Sequence, residues 1–308
     1  MEILSSTLNH IAVLFSFILI GFILKKKKVL HENSAQTLSR LENTIFMPAV
    51  VINTFWNNCT VENISRKWIF LVYSTVLLLT AILLGFVISR LLTKDKYLQR
   101  VYRYSLSVSN FGFVGTALVQ GIYGAESIEL FDYLIFTLPL NMFTYSIGIA
   151  WLVPNSGKVF SLKTFLNPIF VSLFIGAAIG LLNLPKFQLV TSVISSAAGC
   201  MSPIAMILTG FVIGGYRLPE LFKHWQTYVV AGIRLVFLPT VSVLVLKLFN
   251  APHEAVVATL CANAMPLGLN TVIIPSAYGK SPDDGASMAL VSQLTAVFTI
   301  PILFYILL

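Results

Sequence analysis

From Trp68 to Leu92 the chain runs for 25 residues with one charged side chain, Arg90. A helix crosses the hydrocarbon core of a bilayer with roughly 20 apolar residues, because it satisfies its own backbone hydrogen bonds there. Similar runs recur along all 308 residues, which are 57% hydrophobic and only 10% charged. A soluble domain carries about 25% charged residues. The pattern predicts an all-α integral membrane protein of ten transmembrane helices, near Leu8–Leu24, Ala35–Phe55, Trp68–Leu92, Tyr104–Ile122, Leu130–Val153, Phe165–Leu184, Leu189–Gly214, Tyr228–Phe249, Ala255–Tyr278 and Ala286–Leu307. A β-barrel would show alternating ten-residue segments instead. No polar stretch is long enough for a soluble domain, so residues 1–308 read as a single transmembrane permease domain.

The formal charge is +8, and its distribution explains it. Fourteen lysines and arginines fall on one side of the expected helices: Lys25 to Lys28, Arg90, Lys94, Lys96, Arg100, Arg103, Lys158, Lys163, Arg217, Lys223 and Lys280. Four fall on the other: Arg66, Lys67, Lys186 and Lys247. The positive-inside rule places the fourteen in the cytoplasm and both termini outside, in a multi-pass protein of the inner (plasma) membrane. The basic excess is a topology device, not a nucleic-acid surface. The first apolar run ends in four lysines instead of a small-residue cleavage site, so it is expected to stay as a span. Cys59, Cys200, Cys261 and four histidines show no metal-ligand spacing, so neither a metal site nor a cofactor is expected.

The two halves echo each other. Pro48 and Thr54 are matched by Pro203 and Thr209, and Asn110 and Gly115 by Asn263 and Gly268. Phe136-Thr137-Leu138-Pro139-Leu140 is matched by Phe298-Thr299-Ile300-Pro301-Ile302. The offsets are 155, 153 and 162, in the same order along each half. Five helices per repeat (residues 1–155 and 156–308) is an odd number, so the second repeat enters the membrane from the opposite side. Inverted repeats of this kind are the architecture of many secondary transporters.

The most polar mid-membrane stretches are Ser105 to Thr116 in helix 4 and Cys261 to Thr271 in helix 9. Pro266 lacks an N–H, and its ring clashes with the Ala262 carbonyl, so helix 9 breaks there. Gly112 and Gly115 make a break in helix 4 inexpensive. Broken helices in lipid are tolerated where they line a cavity or are covered by protein, and their half-helix N-termini attract anions. Asn110, Asn263 and Asn270 can donate to a carboxylate or coordinate a cation through oxygen. The competing explanation is that small residues let helices approach and that Ser and Asn bond across them. That explanation is preferred for the glycines and serines, and a substrate site for Asn110, Asn263 and Pro266.

Asn110-Phe111-Gly112-Phe113-Val114-Gly115 resembles the Asn-x-Gly-Phe-x-Gly signature of the auxin efflux carrier family of permeases. The similarity spans nearly the whole chain, including Pro48, Pro266 and Pro301, and the chain lacks the long central loop of plant members, as bacterial members do. It departs from the family at Ala117, where a proline often stands. The resemblance implies two inverted five-helix repeats, a fold shared with bile acid:sodium symporters, with unwound helices 4 and 9 crossing at the substrate site. It further implies transport of small organic anions such as auxin-like carboxylates or dicarboxylates.

Arg234 lies inside helix 8. A buried arginine costs at least ~2.5 kcal/mol, so it needs a partner or a task. It can bind a substrate carboxylate, or it can pair with Glu42 or snorkel to the cytoplasmic face. Asp132, Glu42 and Arg40 are expected to be solvated. The expected substrate-binding set is therefore Asn110, Gly112, Gly115, Asn263, Pro266, Gly268, Asn270 and Arg234. The expected function is secondary active transport of a small organic anion by alternating access. The alternatives are a sodium-coupled symporter and a receptor or channel using the same fold. No paired acids or Ser–His pair lies in mid-membrane, so enzyme activity is not expected. Proton or sodium coupling and homodimer formation are left open.

Overall fold

The computed structural model describes residues 2–153, 166–277 and 283–308. The expected repeat boundary at 155/156, the helix ends Phe165 and Tyr278, and Lys158, Lys163 and Lys280 lie outside the described residues. The described residues are helical nearly throughout. The helices are α1 (Glu2–Lys26), α2 (34–58), α3 (Ile69–Leu92), α4a (Lys96–Ser107), α4b (Phe111–Tyr123), α5 (Ile128–Leu152), α6 (Pro168–Leu181), α7 (Gln188–Gly214), α8 (Trp225–Leu248), α9a (His253–Asn263), α9b (Asn270–Ala277) and α10 (Asp283–Leu307). Among the described residues, six of these are long and apolar enough to cross a membrane: α1, α3, α5, α7, α8 and α10. The chain is a multi-pass membrane protein.

Local chemistry sets several starts. Asp95 accepts from the backbone N–H groups of Tyr97 (2.7 Å) and Leu98 (2.9 Å) at the head of α4a. Ser127 accepts from Leu130 N–H ahead of α5. Asn167 caps α6, whose first residue is Pro168. Each of these side chains satisfies donors that a helix leaves unpaired at its first turn. Four π-helical turns interrupt the described helices, at Glu42–Phe46 in α2, Phe111–Gly115 in α4b, Thr144–Gly148 in α5 and Ile233–Phe237 in α8.

The helices sort into two groups by packing. In one, α1 lies along α7, α2 along α6, and α2 against α7. In the other, α3 packs on α4a and α5, α9a on α5 and α8, and α8 on α10. Small residues permit the closest approaches, as expected where lipid supplies no hydrophobic drive for helix association. A Cβ at Gly210 would fall on the Ile18 carbonyl of α1, and one at Gly180 on the Phe55 carbonyl of α2. Gly210→Ala is therefore expected to cost about 1–3 kcal/mol through forced separation of α1 and α7. Gly199→Ala in the same helix meets nothing within 4 Å and should instead gain up to about 1 kcal/mol of helix propensity. Melting temperatures of the two purified variants check this opposition.

The four basic residues on the sparse side all have structural partners. Lys67 pairs with Asp132 at 2.7 Å, Arg66 with Glu62 at 2.9 Å, and Lys247 donates to the Leu307 carbonyl at 2.6 Å. Lys186 donates to Asn57. Asp132 is not solvated as expected. It is 2% exposed, because α3 and α5 pack together and enclose its pair with Lys67.

Candidate functional site

α4a stops at Ser107, and Val108 turns extended with φ −128° and ψ 125°. α9a stops at Asn263, and six residues, 264–269, separate it from α9b. The two breaks meet through an antiparallel bridge between Ser109 and Leu267. Asn110 N–H donates to the Pro266 carbonyl at 2.7 Å. Ser109 Oγ donates to the Ala262 carbonyl at 2.6 Å, the same group that Pro266 deprives of an intrahelical partner. Leu267 N–H donates to Ser292 Oγ of α10 at 2.9 Å. The broken backbone groups are thus taken up by the opposite break and by a neighbouring helix, away from lipid.

Beside the bridge lies a cavity of about 30 Å³, lined by Asn110 and Gly268 from the breaks, Gly112 and Asn270 from the helix starts that follow them, and Asn43 and Tyr145 from α2 and α5. Asn110 is 4% exposed, and its Nδ2 has no hydrogen-bond partner. Asn110 also precedes the first turn of α4b, whose first N–H groups have no acceptor within the helix, and its side chain caps none of them. An unmet amide and a helix N-terminus therefore coincide, and both favour an anionic acceptor. Asn270 Nδ2 donates to Tyr104 Oη at 3.0 Å, and Tyr145 Oη donates to Asn43 Oδ1 at 3.2 Å. A Cβ built on Gly112 meets nothing within 4 Å, so this residue keeps the cavity open.

The other expected site residues lie elsewhere. A Cβ on Gly115 would strike the Tyr133 hydroxyl, which donates to the Phe111 carbonyl at 2.6 Å, so Gly115 serves packing. The helix 4 break sits at 108–110, ahead of both glycines, which lie in the π turn. Pro266 shapes the crossing through its carbonyl and does not line the cavity. Asn263 ends α9a and faces away from it, so Asn110 and Asn263 do not occupy matching places. Asn110 follows its break and Asn263 precedes its own; Asn270 is the asparagine that follows the second break.

Arg234 is 1% exposed in the π turn of α8, and its Nη2 donates to Asn263 Oδ1 at 3.2 Å. It does not pair with Glu42, and it does not snorkel. Glu42 is 0% exposed with both carboxylate oxygens unpartnered, which also overturns its expected solvation. The reason is packing: Glu42 lies in the α2, α6 and α7 group, and Arg234 in the α8, α9a and α10 group. Arg40 is exposed as expected.

Sequence reasoning missed Asn43, Asn141, Thr144 and Tyr145, which also line the cavity. Their signal is a polar residue beside a π turn, and a π turn leaves no periodicity a single sequence displays. The family profile described as membrane transport protein matches the chain twice, over residues 6–159 and 152–304. An uncharacterized transporter of Methanothermobacter thermautotrophicus is 21% identical over 309 residues, covering 98% of each chain. The two profile matches together take in nearly the whole sequence, broken-helix crossing included, and the chain belongs to this family of membrane transport proteins.

Proposed function

We propose that the protein is a secondary transporter of small organic anions that works by alternating access around the crossing of α4 and α9. The observation that carries this is the unpartnered Nδ2 of Asn110, a residue that lines the cavity at the head of α4b. A carboxylate oxygen there completes the amide's hydrogen bonding and meets the positive end of the helix. Arg234 has no carboxylate partner among the described residues, and its charge adds to the positive potential behind Asn263. At roughly 10–15 Å³ per water, the cavity has room for two or three waters, so a carboxylate enters when α2 and its Asn43 draw back from the crossing.

The transport architecture we infer is ten spans in two inverted five-helix repeats, residues 1–155 and 156–308, with both termini outside the inner membrane. Its support is the packing, where α1–α7 and α6–α2, α3–α4a and α8–α9a, and α3–α5 and α8–α10 are pairs that exchange on a shift of five helices. The charge split supports the orientation. The test is a thermal-shift screen of purified protein against mono- and dicarboxylates, with chloride as the control anion, each with and without sodium. Saturating carboxylate at about 100 Kd adds about 2.7 kcal/mol to the folded state. A melting temperature moved by no carboxylate more than by chloride contradicts the proposal.

A further inference from the structure

Glu42 is the one acidic side chain among the described residues with both carboxylate oxygens buried and unpartnered. It opens the π turn of α2, which packs against the rest of α2 and against α6 and α7. No cation faces it from these elements. The first part of α2 carries Arg40, exposed and two residues away, on a different face of the helix. Residues 47–58 and α6 carry no titratable side chain, and α7 carries only the exposed Cys200. Among the described residues, no ion pair or hydrogen bond compensates an ionised Glu42. A buried carboxylate without compensation is held as the neutral acid. A metal ion or water would need room beside the oxygens; a proton needs none.

The next residue in the turn, Asn43, lines the crossing cavity and accepts from Tyr145, and Met47 one turn on lines it too. The segment that buries Glu42 is therefore a wall of the anion site. We propose that Glu42 is a proton-binding site: it carries a proton in this closed arrangement and releases it to water when α2 draws back from the crossing. The carboxylic acid becomes a carboxylate, and the proton passes to solvent on the side then open. An anion admitted by the same movement would be enclosed with a proton that Glu42 takes back from that side as it is reburied, and both would leave when the site next opens on the other side. This coupling rests on the organic-anion transport proposed above, whereas the bound proton does not.

Two measurements separate the parts. Infrared difference spectra of purified wild-type protein and Glu42→Gln near neutral pH should show a protonated carboxylic acid carbonyl band in the wild type that the substitution removes. Glutamine keeps the shape and neutrality of the protonated acid, so the variant is expected to fold. If no such band is removed, the proton site is overturned. In proteoliposomes, with indole-3-acetate and succinate as probes, an inward proton gradient should accelerate wild-type net uptake severalfold. Glu42→Gln should lose that acceleration yet still exchange labelled for unlabelled anion. An unchanged gradient response in the variant overturns the coupling role. Wild-type liposomes that take up neither probe while the infrared band is present overturn the transport proposal and support the proton site.

Discussion

Asn110→Ala is expected to weaken carboxylate binding by about 10- to 150-fold, the 1.5–3 kcal/mol of a hydrogen bond to a charged group. Stability should move the other way or stay level. Nδ2 of Asn110 is buried and has no partner among the described residues, so alanine removes an unmet donor without orphaning another group. The backbone N–H that holds Asn110 to the Pro266 carbonyl survives the substitution. A structural asparagine would behave oppositely, with a lower melting temperature and affinity falling only in proportion. Melting temperature and carboxylate affinity of the same preparation distinguish the two. A variant that melts several degrees early and binds normally would remove Asn110 from the site.

Lys67→Met is expected to destabilise the protein by about 3–5 kcal/mol, because it leaves a buried carboxylate without its counter-charge. Asp132 is 2% exposed, its Oδ2 holds Lys67 at 2.7 Å, and its Oδ1 has no other partner. Removing both charges should recover most of the loss, since two apolar side chains of similar volume fill the same space between α3 and α5. The check is a double-mutant cycle of melting temperatures for Lys67→Met, Asp132→Leu and the pair. A single Lys67→Met that melts with the wild type would show that water reaches Asp132 and that this end of the bundle is open.

Apolar run length was enough to place the six long apolar helices, because lipid forces each span to satisfy its own backbone. The break at Pro266 was legible for a similar reason: a missing donor and a ring clash are local properties of proline. The pairing of Asn110 with Asn263 failed on arithmetic. The helix 4 break occupies residues 108–110 and the helix 9 break residues 264–269, so a constant offset slides across the crossing. Asn270, at the start of α9b, is the asparagine that shares the cavity with Asn110. The burial of Glu42 and Asp132 was not legible, because a charged residue in a helix reads the same whether water or a neighbouring helix covers it. Asn43 and Tyr145 were missed because the π turns that aim them rotate the helix face by an amount the sequence does not mark.

Uptake of labelled indole-3-acetate and succinate into proteoliposomes carrying wild-type protein or Asn110→Ala, side by side, tests the central claim most directly. Saturable uptake of at least one carboxylate by the wild type, with its apparent affinity lowered about 10- to 150-fold in the variant, is the predicted result. Equal uptake by both proteins, or binding of a carboxylate by the wild type without any saturable uptake, would contradict it.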